Sequence, residues 1–161
     1  MKRKKSHKVF SLNNLLKTIK KLKAENKTLV LVGGCFDVLH PGHVIFLQKA
    51  KQQGDYLIVL LESDEKIKLL KGSDRPVHSQ EERGLILSAL EVVDFIVLLP
   101  NVNSDQEYNQ IIGRIQPNII AATLGDSGID HKKRVAKITG AKVKYVTKII
   151  GKYSTTNILN R

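Results

Sequence analysis

The sequence predicts an α/β domain built on a doubly wound, five-stranded parallel sheet, and three observations lead there. Short apolar runs alternate with longer stretches of helical period along most of the 161 residues. The runs, such as Thr28-Leu29-Val30-Leu31-Val32 and Tyr56 to Leu61, are apolar nearly throughout, as strands covered by helices on both faces must be. Between them fall helix-start residues and glycine or proline stops. A chain of this length buries one substantial core.

Ser11 is placed to cap a helix whose stripe is Leu12, Leu15, Leu16, Ile19 and Leu22. Its opposite face is rich in lysine, which a solvated face explains. The first strand follows at about 28–33. A helix from Val44 to Lys51, extending back into the His40-Pro41-Gly42-His43 turn, stops near Gly54. Tyr56 to Leu61 is the second strand, and Ser63 opens a short helix to Leu70. Ser79 and Glu82 have capping-box spacing and start a helix to about Glu91. Phe95 to Leu99 is the third strand. Ser104 and Glu107 repeat the box before a helix carrying Ile111, Ile112 and Ile115, which ends before Pro117. Ile119 to Ala122 is the fourth strand. A basic helix from about Asp130 to Thr139 stops at Gly140, Val143 to Thr147 is the fifth strand, and Ser154 caps a last short helix.

Charge is unevenly distributed. The net +12 falls mostly on residues 1–27, which hold ten Lys or Arg against one Glu; the remainder carries 17 basic and 14 acidic residues. Residues 1–8 therefore read as a basic tail, and 9–161 as a single nearly balanced domain. Aromatic residues are 5% of the chain and do not alternate with basic ones, so stacking on nucleic acid is not the expected chemistry. No apolar stretch reaches membrane-span length, and the lysine-rich start lacks an apolar segment behind it. A single cysteine, Cys35, excludes an internal disulfide and fits a reducing compartment. The expectation is a cytoplasmic protein with no membrane partner.

The most informative residues are Gly33-Gly34-Cys35-Phe36-Asp37 and His40-Pro41-Gly42-His43. They lie between a strand and a helix, where unpaired N–H groups and the positive end of the helix dipole attract an anion. Gly33, Gly34 and Gly42 let backbone approach a bound group, and Pro41 or Gly42 suits the first helical turn. Two imidazoles three residues apart at that position suggest nucleotide chemistry. A metal site is not expected, because His7, His78 and His131 stand in unrelated polar contexts. In a doubly wound sheet, ligands bind beyond the carboxyl ends of the strands at a switch in strand order. The H-P-G-H turn, Leu70-Lys71, Leu124-Gly125-Asp126 and Ser154-Thr155-Thr156 all follow strands on that edge, so four segments converge on one crevice.

The G-G-C-F-D-V-L-H-P-G-H segment resembles the signature of the H-x-G-H nucleotidyltransferase superfamily, in its cytidylyltransferase-like branch. The resemblance continues through Gly54-Asp55, Glu62-Ser63-Asp64, Leu70-Lys71-Gly72, Arg75-Pro76-Val77, Glu81-Glu82-Arg83, Ala89 to Asp94 and Tyr153-Ser154-Thr155-Thr156. Within the branch it is most similar to the adenylyltransferase domains of ADP-heptose synthases, and next to glycerol-3-phosphate cytidylyltransferases. It differs from many heptose-type members in having Gly33 where they carry asparagine, Thr123-Leu124-Gly125-Asp126 where they carry lysine-glycine-glycine-aspartate, and Lys152 where glycine is common.

The resemblance implies a Rossmann-like fold and transfer of a nucleoside monophosphate from ATP or CTP to a small phosphorylated sugar or polyol, with release of pyrophosphate. Heptose 1-phosphate with ATP is one substrate pair, glycerol 3-phosphate with CTP another, and FAD synthesis a further member of the same chemistry. A nucleotide-binding protein without turnover is the reading from a different class. Mg²⁺ is expected with the triphosphate, held through phosphate oxygens and water, and a homodimer is implied by the family. His40, His43 and Lys71 would carry catalysis, each histidine acting better when protonated. Gly34, Cys35, Phe36, Asp37, Gly42, Gly125, Asp126, Lys148, Ser154, Thr155 and Thr156 would bind nucleotide, with Asp37 orienting the turn. Lys68 and Arg83 would meet the acceptor or support the site from behind.

Overall fold

The computed structural model describes residues 7–126, 128–149, 153 and 155–159. Their order is β1 (Val9–Phe10), α1 (Leu12–Ala24), β2 (Leu29–Gly34), α2 (Pro41–Lys51), β3 (Tyr56–Leu61), α3 (Asp64–Lys71), α4 (Gln80–Ser88), β4 (Phe95–Leu98), α5 (Asp105–Ile115), β5 (Ile119–Leu124), α6 (Ile129–Thr139), β6 (Lys142–Lys148) and α7 (Thr155–Leu159). The sheet is parallel, in the order β1-β4-β3-β2-β5-β6. It has six strands rather than five. The added strand, β1, is two residues long, and periodicity cannot register so short a run. It pairs Val9 with Ile96 and Phe10 with Val97. Lys8, assigned to the tail, is already engaged: its carbonyl accepts from the Ile96 N–H and its ammonium donates to the Leu90 carbonyl.

The apolar strands read as doubly covered, and the packing gives the reason. Leu29 and Leu31 of β2 join Ile58, Leu60 and Val97 in the core under α1, α5 and α6. Val30 and Val32 join Leu57, Val59, Leu61 and Ile96 under α2 and α4. Successive residues feed opposite faces. The helix starts are as expected where a serine marks them: Ser11, Ser63, Ser79 and Ser104 each accept from the N–H three residues on. Ser79 and Glu82 complete a capping box. At α5 the Glu107 carboxylate instead takes the Asn103 N–H, one residue earlier than the box requires. Helix α4 ends at Ser88, short of Glu91, because Ala89 to Asp94 turns to bury Val93 and to set Asp94 against the Leu57 N–H. The cap assigned to Ser154 lies outside the described residues.

The two edges of the sheet are treated differently. At the strand starts, Asp55, Asn118 and Asp94 accept from the N–H groups of Thr28, Leu29 and Leu57. At the strand ends, the β3–β4 seam is closed by Gln80, whose amide donates to the carbonyls of Leu61 and Leu99. Strands β2 and β5 pair only at Val30–Ile119 and Leu31–Ile120, although both run on to Gly34 and Leu124. This seam is where the strand order reverses, and its opening forms the crevice. A bulge in β6, opposite Ala122 and Thr123 of β5, brings Thr147 opposite Thr123, their hydroxyls 3.0 Å apart, at the crevice wall.

Gly54 ends the α2 turn by closeness rather than by left-handed backbone. A Cβ there would lie 2.9 Å from the Thr28 carbonyl oxygen and 2.8 Å from a Val30 methyl. Gly54→Ala should therefore cost about 1–3 kcal/mol, the range for overpacking a well-filled site. Urea unfolding measures it, and an unchanged midpoint would contradict the close approach.

Candidate active site

Strand β2 delivers the chain to the crevice at Gly34, and α2 leaves it at Pro41. The intervening turn is tightly wound. Phe36 and Val38 have φ of 46° and 52°, a region that costs a β-branched residue strain. His40 is extended and caps α2 through its backbone, Pro41 occupies the first turn, and the His43 N–H donates to the His40 carbonyl at 2.9 Å. Pro41 has no N–H, so Gly42 supplies the first backbone donor of the helix.

The two histidines stack, ring centroids 3.8 Å apart and planes 19° from parallel. Phe36 flanks His43 at 5.2 Å. Burial pushes the His43 imidazole down to about 4, with the neighbouring His40 adding to it and Asp37 opposing. Burial also lowers His40. The ligand-free pair is thus uncharged at neutral pH, which permits the stacking. Neither Nδ1 has a hydrogen-bond partner among the described residues. Gly42 is fitted beneath: a Cβ would press the His40 ring at 3.1 Å and the Tyr153 Cβ at 3.2 Å.

Asp37 orients this turn, as its position suggested. It is 2% exposed and accepts from Arg75 Nε at 2.6 Å and from the N–H groups of Val77 and His78 at 3.0 and 3.3 Å. Its own carbonyl accepts from Thr155 Oγ1 at 2.6 Å. One residue therefore ties the H-P-G-H turn to the 72–78 loop and to α7.

A cleft of about 520 Å³ opens above the β2–β5 seam. It gathers Gly34, Cys35, Phe36, Asp37, His40, Gly42, His43, Lys71, Gly125, Asp126, Lys148, Thr155 and Thr156, all expected from sequence. Ser154 lies outside the described residues. Lys68 is exposed on α3 and does not line the cleft. Arg83 lies behind it, 1% exposed, donating to the carbonyls of His78, Cys35 and Glu62 and to the Asp64 carboxylate. It braces the cleft floor and is shielded from any ligand. The Cys35 thiol is pushed up by burial and by the Glu62 charge, which makes it a poor nucleophile.

The cleft also holds cations the sequence did not single out. Arg75 serves Asp37, and Lys132 pairs with Asp126. Burial pushes the Asp126 carboxyl up, but Lys132 and the Gly128 N–H outweigh it and hold it below its ordinary value. Arg75 stands in the quoted R-P-V block, so a signal existed without a role. Lys132 lies six residues after Asp126 across a loop, and no spacing rule connects them. No cluster of three metal-ligating side chains occurs among the described residues. None of the described helices is long and apolar enough to cross a membrane.

Comparisons with known proteins agree with this geometry. The family model described as cytidylyltransferase-like matches residues 31–161. Curated relatives named bifunctional protein HldE match over nearly the whole chain: that of Campylobacter fetus is 41% identical over 154 residues and that of Geotalea uraniireducens 39% over 156, each covering 96% of this chain. The chain spans about a third of the length of these relatives, 31% in both. Among solved structures, a lipopolysaccharide core biosynthesis protein from Thermoplasma volcanium superposes with a TM-score of 0.61 at 25% identity, over 80% of this chain and 99% of that one. A pantoate-beta-alanine ligase from Francisella tularensis gives the same TM-score at 13% identity, over 86% of this chain and 66% of that one, a likeness of fold. With a strand-order switch, an H-P-G-H turn on its edge and a family match over most of its length, the chain belongs to the cytidylyltransferase-like family.

Proposed function

We propose that this protein transfers the nucleoside monophosphate of ATP to a small phosphorylated acceptor, with heptose 1-phosphate as first choice, and releases pyrophosphate. The observation that carries the reading is the stacked His40–His43 pair on the first turn of α2, facing a cleft that also holds Lys71 and Lys148. The HldE relatives and the lipopolysaccharide core biosynthesis neighbour support a sugar phosphate as acceptor. ATP is preferred to CTP on the Y-S-T-T likeness to heptose-type members.

An oxygen of the acceptor phosphate attacks the α-phosphorus, the bond to the bridging oxygen of pyrophosphate breaks, and the electron pair leaves with pyrophosphate. The attacking group is already an anion at neutral pH, so a strong base is unnecessary. Catalysis then rests on positioning and on neutralising charge at the transferring phosphorus. His40, His43 and the Gly42 N–H donate to phosphate oxygens, and Lys71 and Lys148 offset charge on the pyrophosphate and the incoming phosphate. Lys71 and Lys148 have no carboxylate partner among the described residues. Both Asp37 oxygens and the Asp126 carboxylate are engaged within the protein. Mg²⁺ would be held mainly by the phosphate oxygens of the nucleotide and water, and would supply further charge neutralisation there.

Pyrophosphate release across four nucleoside triphosphates, heptose 1-phosphate, glycerol 3-phosphate and other phosphorylated polyols tests the reaction. Release is expected with ATP and a sugar phosphate, and no release with any pair would leave only a nucleotide-binding protein. His40→Ala and His43→Ala should each lower kcat by at least about 10²-fold, the scale of losing a preorganised donor. Near-wild-type turnover in both would remove them from the mechanism. Tighter calorimetric binding of CTP than of ATP would overturn the choice of base and leave the transfer chemistry standing.

The lowered histidines give a second test. A bound triphosphate favours the imidazolium and raises a pKa that starts at about 4 for His43. Binding therefore takes up protons, and affinity strengthens as pH falls from neutrality toward the free-state value. Calorimetry at pH 6.5 in two buffers of different ionisation enthalpy should show net uptake, reduced in His43→Gln. Equal uptake in the two proteins would mean that His43 stays neutral against the phosphates.

A further inference from the structure

Beside the cleft, one carboxylate is held with half of its hydrogen-bonding capacity unused. Glu62 follows the last residue of β3; its N–H donates to the Gly34 carbonyl at 3.1 Å and its carbonyl accepts from Arg83 at 2.8 Å. Its backbone is thus fixed to the cleft floor. Oε1 accepts from the Tyr108 hydroxyl of α5, while Oε2 is buried with no partner among the described residues. Burial raises the Glu62 carboxyl against the pull of Tyr108, Lys66 and Arg83. A buried acceptor without a donor is costly, and native folds keep few of them.

The surroundings select what could supply the missing donor. Lys66 of α3 holds its ammonium 5.9 Å from the Tyr108 ring centroid, and the His131 ring of α6 meets the same ring edge-on at 5.7 Å. The neighbouring Lys66 ammonium opposes a metal ion beside Glu62 and suits an anionic ligand that brings its own donors, while Arg83 is already matched by Asp64. On the cleft side, Gly34, Cys35 and Lys71 line the cleft, and the Gly34 carbonyl takes the Glu62 N–H. A phosphate near Lys71 and a hydroxyl near Glu62 are therefore compatible with one small molecule.

We propose that Glu62, positioned by Tyr108, recognises the acceptor: its unpartnered carboxylate oxygen accepts a hydrogen bond from a hydroxyl of a polyhydroxylated phosphate monoester. This rests on the nucleotidyl-transfer reading and adds the residue that recognises the acceptor's hydroxyls. Tyr108 acts through Glu62 and is a positioning residue. Hydroxyl recognition gives strong discrimination, because an analogue lacking the hydroxyl leaves the carboxylate oxygen buried and unpaired.

The test compares matched acceptors with and without hydroxyls: glycerol 3-phosphate against propyl phosphate, and heptose 1-phosphate against cyclohexyl phosphate. In the wild type kcat/KM should favour the hydroxylated member by about 10²-fold or more. Glu62→Gln, nearly isosteric, should shrink that ratio at least about tenfold through KM, and Tyr108→Phe should shrink it less. ATP affinity without acceptor serves as the control for an intact cleft. An unchanged ratio in Glu62→Gln with intact ATP affinity would overturn the proposal. Calorimetry of the same phosphates, with α,β-methylene ATP bound, separates this from failure of the parent reading. Hydroxyl selectivity that depends on Glu62 in a protein releasing no pyrophosphate sinks the transfer reading alone, whereas turnover without such selectivity sinks the subsite alone.

Discussion

Burying the Asp37 carboxylate is tolerable only because Arg75 and two backbone N–H groups meet it, and the geometry of the cleft depends on that meeting. An unpaired carboxylate in this position would cost several kcal/mol. With its partners in place it fixes the turn on three sides. The 72–78 loop is drawn onto it through the side chain, and α7 through the Thr155 hydroxyl on its carbonyl. Lys71, at the end of α3, reaches the cleft just before the same loop. Removal of the carboxylate would leave Arg75 a half-buried, unpaired charge and release the loop as well.

The same clamp explains how the chain holds Phe36 and Val38 in left-handed backbone. Each such residue costs on the order of 1–3 kcal/mol, and neither is glycine. Gly34 before them and Gly42 after them are the positions where a side chain would strike the Phe36 or His40 ring. Strain and close approach thus alternate along one short turn, and their joint product is a pair of parallel imidazoles at a helix N-terminus. Below the turn, Arg83 binds the Cys35 and Glu62 carbonyls, so the ends of β2 and β3 cannot drift independently. Rigid support of this kind suits catalysis by positioning.

What the sequence made legible follows the range of the interaction. Caps at Ser11, Ser63, Ser79 and Ser104 are local, spanning three residues, and each helix began where its serine stood. The H-P-G-H turn is equally local, and its residues came together as expected. Strand β1 escaped because two residues carry no period; its existence is decided by the Ile96 N–H, far along the chain. The arginine that binds Asp37 lies 38 residues away, and Tyr108 lies 46 residues from Glu62. Such pairings depend on which strand ends become neighbours, and a single sequence does not state them. Glu107 is an intermediate case: the cap at Ser104 was legible, but the carboxylate chose the preceding N–H because the chain enters α5 from Asn103.

Part of the positive charge on the described residues also resolves once the fold orders it. Helices of a parallel sheet return toward the strand starts, so Lys21 and Lys23 of α1, Lys49 and Lys51 of α2 and Lys137 of α6 end on the edge away from the cleft. There they complement the negative ends of the helix dipoles, and Lys51 also pairs with Asp94. Those lysines have a structural reason and call for no polyanion. At the cleft the balance differs. Arg75 and Lys132 are matched by Asp37 and Asp126, and burial lowers both histidines. That leaves Lys71 and Lys148 as the cleft cations without a carboxylate among the described residues. A cleft with two unmatched cations beside a helix N-terminus suits a ligand whose charge is concentrated on a few linked phosphates.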